Sequence, residues 1–441
     1  MTKNALAIAI EALSWMAYSG IGERTALFKA ADQIEGTLGD LRQAHLLIME
    51  TTRFQNRLDH VISKALSQDQ LHRASHGVTS LLKILAYLTY IAHTRPRELE
   101  RNVNWARQIL GWKELHPYEE SIAFVASGTL QRDVHESTEL DRLSFETCHP
   151  PWFVRRLIEV FGREFALVML RRNLKPLPTY VRMNPLRVNA TKDWAPQTQV
   201  RGSPVNQLTG VWRLEGSREE LVRSKSYAGG DIVIQDLASI TASLVASPHT
   251  GSTVLDLCAA PGNKTSHLAS MMQNNGEIYS VEVSRKRLSY WHNEMTRTGC
   301  SIASPIRADA RKTPIALEAD VILVDPPCSN TGVLAKNPSI KWKITPARVV
   351  EFINREYAIL REASKHLRSG GTLVYCTCSI LPEENEGVVD AFLSRNPDFS
   401  LACQVPFLGS PGLRGFNRCQ RFYPHLHHCN GYFIAKFRRA D

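Results

Sequence analysis

The 441-residue chain has no apolar run long enough to cross a bilayer, and its nine cysteines are too scattered, and odd in number, to form a disulfide framework. Those two absences argue against a membrane-spanning protein and a disulfide-stapled secreted one, and a reducing cytoplasm is the compartment expected. Apolar residues between 5 and 16 are interrupted by Glu11 and spaced as in a helix, so no signal peptide is expected. The Gly and Lys spacing of a phosphate-binding P-loop is missing, which sets nucleotide hydrolysis aside. His425, His427, His428, Cys419 and Cys429 cluster but match no common zinc spacing, so no metal is expected. Negative charge is the minority, 43 Asp and Glu against 53 Lys and Arg, and the net charge of +10 leans towards a polyanionic partner.

What is present divides by pattern, and the length suggests two or three domains. From residue 5 to about 132 apolar residues recur at three and four, as in Leu6, Ile10, Leu13 and Ala17, and in Leu41, Leu47, Ile48, Leu58, Val61, Ile62 and Leu66. Residues 78–92 are apolar nearly all round and read as the central helix of a bundle. No acid, base or nucleophile constellation appears in this part, so a binding module is expected, with Arg53, Arg57, Lys64 and Arg73 either tracking phosphates or forming a solvated basic face. Cys148 to Trp152, with two prolines, reads as a linker. Beyond it come two helices, 153–160 and 163–173, a strand at 179–184 and short strands at 211–214 and 232–234, the order of a small α+β subdomain. Arg155, Arg156, Arg171, Arg172, Lys175, Arg182 and Arg187, with Trp152, Tyr180 and Trp212 among them, suit the grip and stacking of single-stranded nucleic acid.

After Asp236 strands alternate with helices, the sign of a mostly parallel sheet. Strands are expected at 253–257, 277–283, 321–324 and 371–376, with a late pair at 399–402 and 432–437 as an antiparallel edge. Right-handed crossovers then put Asp256, Glu282, Asp325 and Cys378 on one rim. In 321–332, Val-Ile-Leu-Val-Asp-Pro-Pro-Cys-Ser-Asn-Thr-Gly, a buried strand ends at Asp325 and two prolines turn the chain out, displaying Cys328 at a strand's carboxyl end. The plain alternative is a strand with a tight exit and a buried thiol. In 253–265 a strand runs into small residues and then a helix; Ala259, Ala260 and Gly262 let backbone approach a ligand. Glu282, 20 residues past Gly262, is placed for ribose hydroxyls, and Asp309 for an adenine amino group. The series suits S-adenosylmethionine better than a dinucleotide.

Asp-Leu-Cys-Ala-Ala-Pro-Gly-Asn-Lys-Thr at 256–265, Asp-Pro-Pro-Cys-Ser-Asn-Thr-Gly at 325–332 and Tyr-Cys-Thr-Cys-Ser-Ile at 375–380, followed by Leu-Pro-Glu-Glu-Asn, resemble the signatures of RNA cytosine-5 methyltransferases of the Sun/Fmu type. The resemblance implies a NusB-like helical RNA-binding domain at 1–145, an RRM-like basic α+β subdomain at 146–235 and a Rossmann-like class I methyltransferase domain at 236–441. It implies that Cys378 attacks carbon 6 of cytosine, that Cys328 assists release, and that Asp325 holds the base edge. Lys264 would orient Asp325 or the cofactor's carboxylate. S-adenosyl-L-methionine would lie against Cys258, Ala259, Ala260, Pro261, Gly262, Asn263, Lys264, Glu282, Asp309 and Asp325. Two positions depart from the family: Asn263 and Asn330 stand where it has glycine. Asn is the side chain that best tolerates left-handed backbone, so both loops are expected to keep their shape.

Three other readings stand beside this one. An amino-group methyltransferase would place an aromatic residue, not Cys328, after Asp-Pro-Pro. A DNA cytosine-5 enzyme would use the Pro-Cys thiol and need no second thiol after Thr377. A noncatalytic RNA-binding or ribosome-assembly factor would work through the helical part. The partner expected is RNA, ribosomal RNA ahead of transfer RNA, with no membrane association, and the chain is expected to be a monomer.

Overall fold

The computed structural model describes residues 1–130, 138–188, 201–216 and 218–441, so the last two positions of the helical reading, 131 and 132, lie outside the described residues. Two compact units emerge: Met1–Leu174 with Lys336–Lys343, and Lys175–Ala335 with Ile344–Asp441.

The first unit is helical, and its helices begin where capping chemistry is available. Thr37 and Asp40 form a reciprocal capping box at the start of Leu38–Arg53, as do Ser67 and Gln70 for Gln68–Arg73 and Thr138 and Asp141 for Glu139–Thr147. Helix His76–Tyr90 is central, burying Val78, Leu81, Leu82, Ile84, Leu85 and Leu88, each worth about 1.5–3 kcal/mol of apolar burial. The long helical stretch expected around 41–66 is broken at Phe54 into Leu38–Arg53 and Gln55–Ala65. The expected linker at 148–152 is not one. Cys148 takes a left-handed conformation to cap Glu139–Thr147, and Pro151 is the first residue of helix Pro151–Phe161, where a missing N–H costs nothing. Arg53 is not on a phosphate-tracking face either: it is 3% exposed, bonded to Glu50 and to the Asn173 carbonyl. Segment Lys336–Lys343 belongs to this unit, with Ser339 donating to Glu23, Lys341 to the Arg53 carbonyl and Trp342 to the Thr52 carbonyl.

The second unit holds two sheets. The smaller is antiparallel, with β1 (Tyr180–Met183), β2 (Arg201–Pro204), β3 (Val211–Glu215) and β4 (Ile232–Ile234) in the order β2-β3-β1-β4. Two residues read as nucleic-acid contacts are interior here. Tyr180 is buried, and Arg182, 2% exposed, donates to Gln235, Ser266 and the Asn263 carbonyl. Burial pulls its guanidinium down to about 9.

The larger sheet comprises β5 (Thr253–Leu257), β6 (Glu277–Val281), β7 (Ala303–Ile306), β8 (Ala319–Val324), β9 (Leu367–Thr377), β10 (Phe399–Leu401), β11 (Ser410–Pro411), β12 (Gln420–Phe422) and β13 (Tyr432–Arg439). Its order is β11-β12-β13-β9-β8-β5-β6-β7, with β10 beside β13. Strands β7, β6, β5, β8 and β9 are parallel, and β13 runs antiparallel to β9. Strand β13, expected at the edge, is interior, because β12 continues the sheet beyond it. The chain winds one way from β5 to β6 and β7 and the other way to β8 and β9. That reversal opens a crevice at the carboxyl ends of β5 and β8, where open α/β sheets bind ligands. Among the described residues no helix is long and apolar enough to cross a membrane.

Candidate active site

Four strand ends supply the site. Asp256 lies in β5, Glu282 follows β6, Asp325 follows β8 and Cys378 follows β9. Parallel register between β5 and β8 and between β8 and β9 brings β5, β8 and β9 side by side, with β6 on the other side of β5, so the chain segments leaving them are neighbours.

The thiols of Cys328 and Cys378 meet with their Sγ atoms 3.3 Å apart. Cys328 is 2% exposed, so the loop that displays it from the sequence instead tucks it in, while Cys378 is half-buried. The hydrogen bond with Cys378, together with burial, holds the Cys328 thiol well above the usual thiol range. Below the pair, a carboxylate fixes both loops. Glu384 accepts from the Ser329 N–H at 2.6 Å, the Ser329 hydroxyl at 2.5 Å and the Ser379 hydroxyl at 2.5 Å. Thr331 ties the Cys328 loop to the Cys378 loop again, its hydroxyl 3.0 Å from that of Ser379 and accepting from the Ile380 N–H. Gly332 closes the turn by donating to the Cys378 carbonyl at 2.8 Å, and a Cβ there would lie 2.0 Å from the Gly431 oxygen. Only glycine fits that approach.

Asp325 is held by the helix that follows the small-residue loop. Lys264 Nζ sits 2.6 Å from Asp325 Oδ2, the two side chains 13% and 30% exposed. Burial depresses the Lys264 ammonium, but the Asp325 carboxylate more than offsets it, so Lys264 stays charged. On the other oxygen, the Tyr432 hydroxyl reaches Asp325 at 3.4 Å and the Cys376 thiol at 3.2 Å. Tyr432 was missed because nothing but an edge strand was legible around it; its contacts come from β13 lying beside β9.

The positions expected to hold the cofactor lie at the neighbouring strand ends. Cys258 has a left-handed backbone, and burial raises its thiol pKa far from the thiolate range, which makes it lining and not a nucleophile. Ala259 and Ala260 are buried, Pro261 is exposed, and Gly262 caps helix Asn263–Met271 with φ +108°. Asn263, the first departure from glycine, is the first residue of that helix, and its Nδ2 donates to the Ile234 carbonyl. Asp256 points inward, accepting from Thr265 at 2.6 Å, and burial lifts its carboxyl to about 7. Glu282 is 3% exposed: Oε1 accepts from the Ser284 N–H, while Oε2 lies 3.1 Å from Arg287 yet receives no hydrogen bond. A buried carboxylate oxygen with an ion-pair partner but no hydrogen bond can still accept from a donor, and the two hydroxyls of a ribose supply donors of that kind. Asp309 is half-buried after β7, and its hydrogen bonds from Arg311 hold its carboxyl below the usual range. Among the described residues no group of three or more His, Cys, Asp or Glu is arranged to hold a metal.

Compared with known proteins, residues 243–438 match the family described as 16S rRNA methyltransferase RsmB/F. The chain is 28% identical over 452 aligned positions to the probable ribosomal RNA small subunit methyltransferase B of Bacillus subtilis (strain 168), covering 98% of each. It is 38% identical over 218 positions to the tRNA (cytosine(72)-C(5))-methyltransferase of Pyrococcus horikoshii, covering 49% of this chain and 54% of the relative. The solved structure of NSun6 from Pyrococcus horikoshii with SFG superposes with a TM-score of 0.61 at 25% identity, over 66% of this chain and 98% of that one.

Proposed function

We propose, for a chain that belongs to the RsmB/F family of RNA cytosine-5 methyltransferases, that it methylates carbon 5 of a cytosine in ribosomal RNA, with Cys378 as the attacking thiol and S-adenosyl-L-methionine as methyl donor. The observation that carries this reading is the pair of thiols, 3.3 Å apart beside the Asp325–Lys264 pair. Carbon 5 of cytosine is too weak a nucleophile to take a methyl group unaided. When Cys378 gives up its proton to solvent and its sulfur bonds to carbon 6, the electron pair of the C5–C6 double bond moves to carbon 5. The cofactor supplies the methyl group as an activated sulfonium methyl. Asp325, fixed by Lys264, accepts from the amino edge of the base, and uracil would leave that carboxylate badly paired. A base, here solvent water, must then take the proton from carbon 5, so that the C–H electron pair re-forms the C5–C6 double bond and the C6–S pair leaves with the Cys378 sulfur. Cys328, with its Sγ 3.3 Å from that of Cys378, is placed to assist release by hydrogen bonding at the departing sulfur. The base must be unpaired or flipped to reach these groups.

The cofactor reading is supported by the buried Glu282 carboxylate, whose Oε2 receives no hydrogen bond, and by the SFG-bound relative. Ribosomal RNA is favoured because the relative named for it aligns over the helical unit as well, whereas the tRNA methyltransferase aligns over half the chain. The test is bisulfite sequencing of total RNA with and without the gene. Loss of one 5-methylcytosine from small-subunit ribosomal RNA is expected; loss from a transfer RNA instead would move the substrate, and loss from neither would overturn the reading.

A further inference from the structure

Asn330 is one of the two positions where, by the resemblance, this chain has Asn in place of glycine, and its backbone is left-handed, with φ +59°. Its side chain does something glycine cannot. Nδ2 lies 2.8 Å from the main-chain oxygen of Cys328, and Oδ1 lies 2.8 Å from Sγ of Cys378. The amide orientation follows from the first contact: a carbonyl oxygen only accepts, so the NH2 must face it and Oδ1 must face the sulfur. Oδ1 has no hydrogen to give, so Cys378 donates its S–H to Asn330. That leaves the Cys378 sulfur as acceptor towards Cys328, 3.3 Å away. The hydrogens therefore run in one direction, from Cys328 to Cys378 to Asn330 and back to the Cys328 main chain.

We infer that Asn330 is a positioning residue for the attacking thiol, holding the Cys378 side chain in one rotamer against the Cys328 loop. The inference rests on the reading of Cys378 as nucleophile. The loop itself does not depend on the amide, because Ser329, Thr331 and Gly332 are each bonded independently to Glu384, Ser379 and the Cys378 carbonyl. Asn330→Gly therefore removes the clamp while φ +59° remains comfortable. Asn330→Asp keeps an acceptor near the sulfur but loses the donor to Cys328 and adds a negative charge.

The test measures attack alone. In a Cys328→Ala background, which leaves the main-chain oxygen in place, covalent adduct with RNA from cells lacking the gene is followed on denaturing gels in the presence of S-adenosylmethionine. Asn330→Gly is expected to form adduct at least about tenfold more slowly, to the same final amount and with the same KM for RNA, because a misplaced nucleophile costs rate and not binding. Asn330→Asp should be slower still. Adduct forming at the parent rate in Asn330→Gly, or a change confined to KM or to melting temperature, would overturn the inference. A Cys378→Ala control that still forms adduct would instead sink the reading on which it rests.

Discussion

Replacing Lys264 by Met removes the ammonium 2.6 Å from Asp325 while keeping most of the side chain's bulk. Asp325 is then left with the Tyr432 hydroxyl at 3.4 Å and the Cys376 thiol at 3.8 Å, two long contacts in place of one short charged one. An exposed ion pair is worth about 0–1 kcal/mol, and a hydrogen bond to a charged group about 1.5–3 kcal/mol. With side-chain exposures of 13% and 30% this pair belongs near the lower end of the second range. At about 1.4 kcal/mol per factor of ten, kcat/KM should fall roughly 10- to 30-fold. Transfer of labelled methyl from S-adenosylmethionine to RNA from cells lacking the gene measures it. Lys264→Arg, which keeps the charge, should lose less than Lys264→Met. A Lys264→Met enzyme with the parent kcat/KM would refute the claim that Lys264 fixes Asp325 for the base.

Two further outcomes follow from buried charge. Glu282→Ala should weaken S-adenosylmethionine binding by about 1.5–3 kcal/mol, the worth of hydrogen bonds to a carboxylate, as read by titration calorimetry; an unchanged Kd would remove Glu282 from the cofactor site. Burial pulls Lys341 from the usual 10.5 to about 7. Between those values the unfolded chain binds more protons than the folded one, so stability should rise with pH from about 7 to 10.5, by up to about 1.4 kcal/mol per pH unit from this group. Denaturant unfolding at pH 7 and pH 9 should show that the slope is reduced in Lys341→Met; equal slopes would contradict the burial of a titrating ammonium.

The sheet and its rim were legible because each strand ends in an abrupt change of pattern. Strands give way just before Glu282, Asp325 and Cys378, with Asp256 one residue from the end of β5, and in a parallel sheet such ends share one edge. The clamp around the thiols was not legible, since Asn330, Tyr432 and Glu384 reach the site only through the pairing of distant strands and the packing of two loops. Cys328 looked displayed because local sequence shows a turn but not what covers it. Arg53 and Arg182 read as surface charge because most such residues are exposed, and only tertiary partners reveal the exceptions. The placement of segment Lys336–Lys343 in the helical unit carries no local signal at all, being a short run between two parts of the other unit.

The division of labour between the thiols is tested most directly by a pair of variants incubated with S-adenosylmethionine and RNA lacking the modification. Cys378→Ala should abolish both methylation and covalent adduct, whereas Cys328→Ala should accumulate enzyme covalently bound to RNA. Adduct retained by Cys378→Ala and lost in Cys328→Ala would reverse the assignment.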